Sequence, residues 1–184
     1  MSELAVEIGT TRLEIVVADI TTLDIDAIVN AANTSLLGGG GVDGAIHSAG
    51  GPKILEECKQ IRKTTYPDGL PTGQAVLTSG GNLAAKYVIH TVGPVYGRDP
   101  ERESELLAAC YQNSLRLAHQ HAISSIAFPS ISTGAFGYPK AEAAKIASTA
   151  IKHFLAADQQ IEQVRLVFFQ QRDARVFLQY QEFE

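Results

Sequence analysis

The chain has 184 residues, 45% of them hydrophobic and 19% charged, which suits one ordinary domain with a well-buried core and excludes global disorder. Its formal net charge of −5 argues against broad electrostatic capture of nucleic acid, so direct nucleic-acid binding is not expected. No segment approaches the ~20 apolar residues of a membrane helix, and the opening MSELAVEIG carries neither a basic start nor a long apolar run, so a soluble, cytoplasmic chain without a membrane partner is expected.

In chain order, segments rich in Val and Ile predict strands over 4–8, 13–18, 27–30, 75–79, 87–91, 126–129 and 164–169. Several are apolar on both faces, as strands covered by helices on both sides are. Pro52 suits a first helical position, and Ile54, Leu55, Cys58 and Ile61 then fall on one helix face. Over 102–121 a stripe of Leu106, Cys110, Leu117 and His121, widened by Leu107 and Ser114, predicts a second helix, and Ala144, Ala147, Ile151, Phe154 and Leu155 mark a third over 140–157. Near the end, Asp173 is placed to cap a helix carrying Val176, Phe177 and Tyr180. Cys58 and Cys110 lack metal-type spacing and read as reduced core thiols, which fits a reducing cytoplasm. Alternating strands and helices predict a single three-layer α/β/α domain over 1–184, with a largely parallel sheet and a ligand site at the strands' carboxyl ends.

The stretch LLGGGGVDGAIHSAGG, 36–51, carries the chemistry. Gly39, Gly41 and Gly44 satisfy the spacing G-x-G-x-x-G, but the strand stops well before them and the acidic residue at the required distance, Asp68, lies in a turn. The P-loop also fails, because no Gly-Lys-Ser/Thr follows. What survives is the physics shared by both motifs: glycines let a phosphate approach backbone N–H groups, and a helix beginning near Asp43 adds its positive end. A carboxylate ~4 Å from a phosphate charge would cost about 4 kcal/mol at an effective dielectric of 20, so Asp43 must face elsewhere. Two readings stay open: Asp43 caps a short helix over 44–49, or it points beyond the phosphates at a group whose hydrolysis needs an oriented water. A second small-residue loop in AFPSISTGAFGYP, 127–139, also follows a buried strand and precedes a helix-opening Pro139, so two such loops could clamp adjoining phosphates.

Together VVADIT (16–21), AIVNAANTSLLGGGGVDGAIHSAGG (27–51), PTGQAVLTSGGNLAAKYVIHTVGPVYG (71–97) and ISTGAFGYP (131–139) resemble the macrodomain family, specifically its MacroD-type branch, in the family's order and over nearly the whole chain. The resemblance implies a six-stranded mixed sheet between helices and a cleft for ADP-ribose. It also implies removal of mono-ADP-ribose from acidic side chains of proteins and hydrolysis of O-acetyl-ADP-ribose, with no metal or redox cofactor. Asp19 matches the acceptor for the adenine amino group, with the Ile20 backbone beside it; Phe169 matches the aromatic that stacks on adenine. From residue type alone, Asp19 also reads as a strand-end turn residue and Phe169 as core.

The backbones of Gly40, Gly41 and Val42, with Ser132, Thr133, Gly134, Ala135 and Phe136, match the diphosphate clamp, and Phe136 is the side chain expected beside the distal ribose. Asn33 and Asp43 match the pair at that ribose, where Asn33 would hold a hydroxyl and Asp43 would orient or deprotonate water. His47, one turn after Asp43, reads as a packing or supporting residue, and His90 as a satisfied core histidine. Ala135 stands where a larger aliphatic is common, and Gln170, Gln171 and Arg172 stand where relatives often carry acids. The competing reading is a non-catalytic ADP-ribose reader or a regulatory protein, which the Asn33/Asp43 pair disfavours.

Overall fold

The computed structural model describes residues 2–184. Seven strands form one sheet: β1 (Ser2–Ile8), β2 (Thr11–Val17), β3 (Ala27–Ala32), β4 (Ala75–Ser79), β5 (Tyr87–Val92), β6 (Ser125–Phe128) and β7 (Gln163–Phe168). Their spatial order is β1-β2-β7-β6-β3-β5-β4. The five inner strands run parallel, while β1 pairs with β2 and β4 with β5 antiparallel. The sheet is therefore mixed, and it has seven strands where the family resemblance implied six. The seven Val/Ile-rich segments had marked all of them, since a strand half-buried at an edge keeps the same alternation as an inner one.

Side-chain alternation sorts the core into two layers. Leu13 and Ile15 of β2, Val29 of β3 and Phe128 of β6 pack under α3 (Glu103–Gln120), α4 (Lys140–Ala157) and α5 (Gln171–Tyr180). Ile28 and Ala32 of β3, Val88 and Val92 of β5 and Val167 of β7 face the opposite layer, α1 (Gly41–Gly50) and α2 (Pro52–Thr64). No helix of the described residues is long and apolar enough to cross a membrane.

Several sequence expectations shift in detail. In α3 the buried stripe is Leu107, Cys110, Tyr111, Ser114, Leu115 and Ala118, so the helix is turned from the expected face and His121 lies outside it, exposed. Asp173 does not cap α5; Gln170 holds that position, and Asp173 sits in the first turn, where its carboxylate accepts from Lys140 Nζ at 2.6 Å and ties α5 to the start of α4. Cys58 and Cys110 are free, buried thiols, as their spacing implied. Burial raises the Cys58 thiol to about 12, with Asp43 and Glu57 adding to the shift, and raises Cys110 to about 11.

Candidate functional site

Parallel inner strands put the carboxyl ends of β2, β7, β6, β3 and β5 along one edge, and the segments leaving those ends line a cleft of about 930 Å³. After β2, Ala18 N–H still bonds the Phe168 carbonyl at 3.0 Å, so Asp19 and Phe169 emerge from neighbouring strand ends. Asp19 turns the chain into a single helical turn over Ile20–Thr22: its Oδ1 accepts from Thr21 N–H at 3.0 Å and from the Thr21 hydroxyl at 2.7 Å. It is thus a turn residue and a cleft residue at once. Phe169 lies one residue beyond β7 rather than on it, and at 77% exposure it is no core residue; it stands at the cleft wall.

Beyond β3, Asn33 organises the next turn. Its Oδ1 accepts from the Ser35 N–H and hydroxyl, and its Nδ2 donates to the Gly38 carbonyl at 2.9 Å. Arg62 of α2 braces that turn from below, donating to the carbonyls of Ser35, Tyr66 and Pro67. Helix α1 then begins at Gly41 with Gly40 as its N-cap, so the first-turn N–H groups open toward the cleft. Gly41 adopts φ +58, which glycine accepts at no steric cost.

Asp43 therefore lies inside the first turn and does not cap the helix, overturning the capping reading. The residue is 5% exposed, and its carboxylate points down toward the sheet. Asn30 Nδ2, on β3, donates to its Oδ1 at 2.7 Å, and His47 Nε2 lies 3.5 Å from the same oxygen. The second oxygen, Oδ2, is buried and finds no partner among the described residues. A Cβ at Gly39 would lie 3.1 Å from both Asp43 Oδ2 and Asn33 Nδ2, so the two side chains converge on that bare glycine. A Cβ at Gly44 would come within 2.6 Å of the Gly39 carbonyl, so Gly44 lets the loop fold tightly over the helix.

The loop after β6 forms the facing wall. Ser132 holds φ +66, its hydroxyl is buried with no partner among the described residues, and a Cβ at Gly93 would fall 2.1 Å from that hydroxyl. The loop's shape is fixed by the Tyr138 N–H on the Ser132 carbonyl (2.8 Å), by Gly137 N–H on Gly134 (3.0 Å) and by Tyr96 N–H on Phe136 (2.9 Å). Thr133, Gly134, Ala135 and Phe136 line the cleft with Gly40, Gly41 and Val42 opposite. Every residue singled out from the sequence as a site residue borders this one cavity. His47 touches Asp43 from behind, and His90 is fully buried with partners on both ring nitrogens. Sequence reasoning missed Asn30, Arg62 and Thr78, the partner of His90 Nε2, and weighed Gly39 only as part of the rejected G-x-G-x-x-G spacing. A polar residue within the apolar run AIVNAA was the available signal for Asn30.

These features define an α/β protein with a cleft at the carboxyl ends of the parallel strands of a mixed sheet, walled by two small-residue loops and holding a buried carboxylate at one side. The sequence pattern of the Macro domain family matches residues 29–147, and the chain belongs to that family. It is 54% identical over 166 residues to a macro domain-containing protein of Cupriavidus necator, covering 90% of this chain and 95% of that one. An O-acetyl-ADP-ribose deacetylase of Salmonella newport is 51% identical over 168 residues, covering 91% of this chain and 93% of its own. The Oceanobacillus iheyensis macrodomain with ADP superposes with a TM-score of 0.93 at 47% identity, over 96% of this chain and 93% of that chain. A Trypanosoma brucei macrodomain in complex with ADP-ribose superposes at 0.82 with 39% identity, over 91% of this chain and 68% of that chain.

Proposed function

We propose that the chain binds ADP-ribose and hydrolyses esters of its distal ribose, deacetylating O-acetyl-ADP-ribose and releasing mono-ADP-ribose from acidic side chains of proteins. The observation that carries this reading is the Asn33/Asp43 pair meeting at Gly39, beside loops whose backbone N–H groups can take a diphosphate. The solved and curated relatives support the ligand and the ester chemistry.

In this mechanism the first turn of α1 and the 132–136 loop grip the diphosphate through backbone groups, while Asp19 accepts from the adenine amino group beside Ile20. Phe169 stacks on the base, and Phe136 packs by the distal ribose. Asn33 holds a ribose hydroxyl. Asp43, clamped through Oδ1 by Asn30, has in Oδ2, which has no partner among the described residues, the acceptor that orients a water toward the anomeric carbon of the distal ribose, whose bond to the acyl oxygen breaks as the new C–O bond forms. A carboxylate leaving group needs little acid assistance, so positioning supplies much of the acceleration. Asp43 cannot repel the diphosphate strongly, because its charge is turned to the sheet and bonded there.

The decisive assay incubates O-acetyl-ADP-ribose and a glutamate-modified mono-ADP-ribosylated protein, side by side, with the wild type and Asp43→Ala. Turnover by the wild type and its loss in Asp43→Ala, with ADP-ribose still bound, is the expected outcome. Full release by Asp43→Ala would remove the catalytic assignment, and calorimetric binding without product at stoichiometric protein would make the chain a reader. Gly40→Glu tests the clamp independently. A Cβ at Gly40 meets nothing within 4 Å, so its expected loss of affinity comes from crowding the ligand. Undiminished ADP-ribose affinity in that variant rejects the loop assignment.

A further inference from the structure

Beneath Asp43 runs a line of buried polar side chains of which the reading above uses only Asn30. Asn30 on β3 and His90 on β5 are register partners, and both, with Thr78 on β4, face the α1/α2 layer; their exposures are 0%, 0% and 3%. Asn30 Nδ2 lies 2.7 Å from Asp43 Oδ1 and 3.0 Å from His90 Nδ1, and His90 Nε2 lies 2.9 Å from the Thr78 hydroxyl, itself 3.0 Å from the Ser79 carbonyl.

Only one set of proton positions satisfies this line. The Ser79 carbonyl can only accept, so the Thr78 hydroxyl donates to it and accepts from His90 Nε2–H. The Asp43 carboxylate can only accept, so Asn30 turns its amino group toward it, and the second amino hydrogen meets His90 Nδ1, which must then be bare. We propose that His90 is a positioning residue for Asp43: held by Thr78 as the neutral Nε2–H tautomer, it accepts from Asn30 and so fixes the amide edge that Asn30 presents to the carboxylate. The proposal rests on the reading of Asp43 as the group that orients water.

The groups around the imidazole favour the neutral ring. Burial, with His47 adding to it, pushes His90 down to about 3. Cys58 Sγ sits 3.9 Å from Nε2, and its thiol, raised to about 12, brings no charge. A proton on Nδ1 would point at the Asn30 amino group and drive the amide over, aiming its carbonyl at Asp43. A hydroxyl on β4 thereby governs a carboxylate on α1. The arrangement is also costly as mere filling, for Asn30 Oδ1 is buried with no partner among the described residues, a cost that an apolar trio would avoid.

The test combines long-range proton–nitrogen spectra of the histidines with steady-state hydrolysis of O-acetyl-ADP-ribose by the wild type, Thr78→Val, His90→Gln and His90→Leu. The wild type is expected to show His90 as Nε2–H from about pH 6 to about pH 8. Thr78→Val, nearly isosteric, should lower kcat about tenfold or more, with KM and the ADP-ribose dissociation constant changing less than about twofold. His90→Gln, which can offer a carbonyl to Asn30 and an N–H to Thr78, should retain more activity than His90→Leu. An Nδ1–H or protonated His90 in the wild type overturns the proposal, and so does a folded Thr78→Val with kcat within about twofold of wild type. If the His90 variants fail to fold, the wild-type spectrum and Thr78→Val decide. A wild type that hydrolyses no ester overturns the reading of Asp43 and the positioning role together, whereas an active wild type with an unaffected Thr78→Val removes the positioning role alone.

Discussion

Asp43 occupies the position in α1 where an acidic residue complements the helix's positive end, yet its bonding runs down into the sheet. Under the proposed function, that direction lets one glycine-rich loop serve two chemistries, with backbone N–H groups for an anion and a side chain for the region beyond it. Gly39 and Gly40 separate the two. A Cβ at Gly39 would crowd Asn33 Nδ2 and Asp43 Oδ2 at 3.1 Å each, whereas one at Gly40 has open space. Gly39 lies outside the positive-φ region, so its backbone admits alanine. Gly39→Ala should therefore lower kcat for O-acetyl-ADP-ribose about tenfold while leaving ADP-ribose affinity within about threefold. Parallel kinetics and calorimetry check this; an equal loss in both would mean that Gly39 serves the diphosphate rather than the pair.

At the level of elements, the Asn33 turn depends on Arg62, whose planar guanidinium reaches three carbonyls from the end of α2. The turn is also sewn to the 65–70 segment by Leu70 N–H on the Thr34 carbonyl at 2.9 Å. A lysine places one ammonium where three directed donors are needed, so Arg62→Lys should leave two carbonyls short of partners and destabilise by about 2–3 kcal/mol. For a chain of this size that is a fall of roughly 5–10 °C in melting temperature. Hydrogen exchange should accelerate at Leu36 and Leu70, whose amides close the braced turn; unchanged exchange there would show that the loop holds its shape without Arg62.

The strands and helices themselves were legible because apolar periodicity records burial directly. All seven strands showed in the Val/Ile runs, and the site loops showed in their glycines and small residues. Three kinds of feature were not legible. The face of α3 was misjudged because Leu106 and Leu117 flank the stripe that Leu107, Tyr111 and Ala118 centre. Asp43 and Asp173 looked like caps because each helix starts three residues earlier than its apolar stripe suggests, with Gly40 and Gln170 as the caps, which turns an expected cap into a first-turn residue. Asn30, His90 and Thr78 come together only through the pairing of β3, β5 and β4, which no local pattern announces.

For the molecule as a whole, the same buried polar layer makes stability depend on pH. His90 is neutral in the folded chain, with its proton affinity pushed down to about 3 by burial and then by His47, while in the unfolded chain it takes up a proton below about 6.5. Between those values the unfolded state binds the extra proton, so stability is full above about 6.5 and drains as pH falls, by about 1.4 kcal/mol per unit at most. Asp26 adds to this at lower pH. Burial raises its carboxyl, but bonds from the Ser124 side chain and backbone and from Ser125 together outweigh burial and hold it below the usual range. Its depressed affinity makes its contribution present above the ordinary carboxylate range and lost as pH falls through the folded value. Because Asp26 pins the start of β3 to the start of β6, protonating it loosens the beginning of the strand that carries Asn30. Urea midpoints measured from about pH 7 to about pH 4.5 should therefore fall steadily in the wild type. His90→Gln should flatten the decline, since it removes the histidine contribution, whereas Asp26→Asn should lower stability near neutral pH and leave the histidine-driven slope intact. An unchanged slope in His90→Gln would place the acid sensitivity elsewhere in the chain.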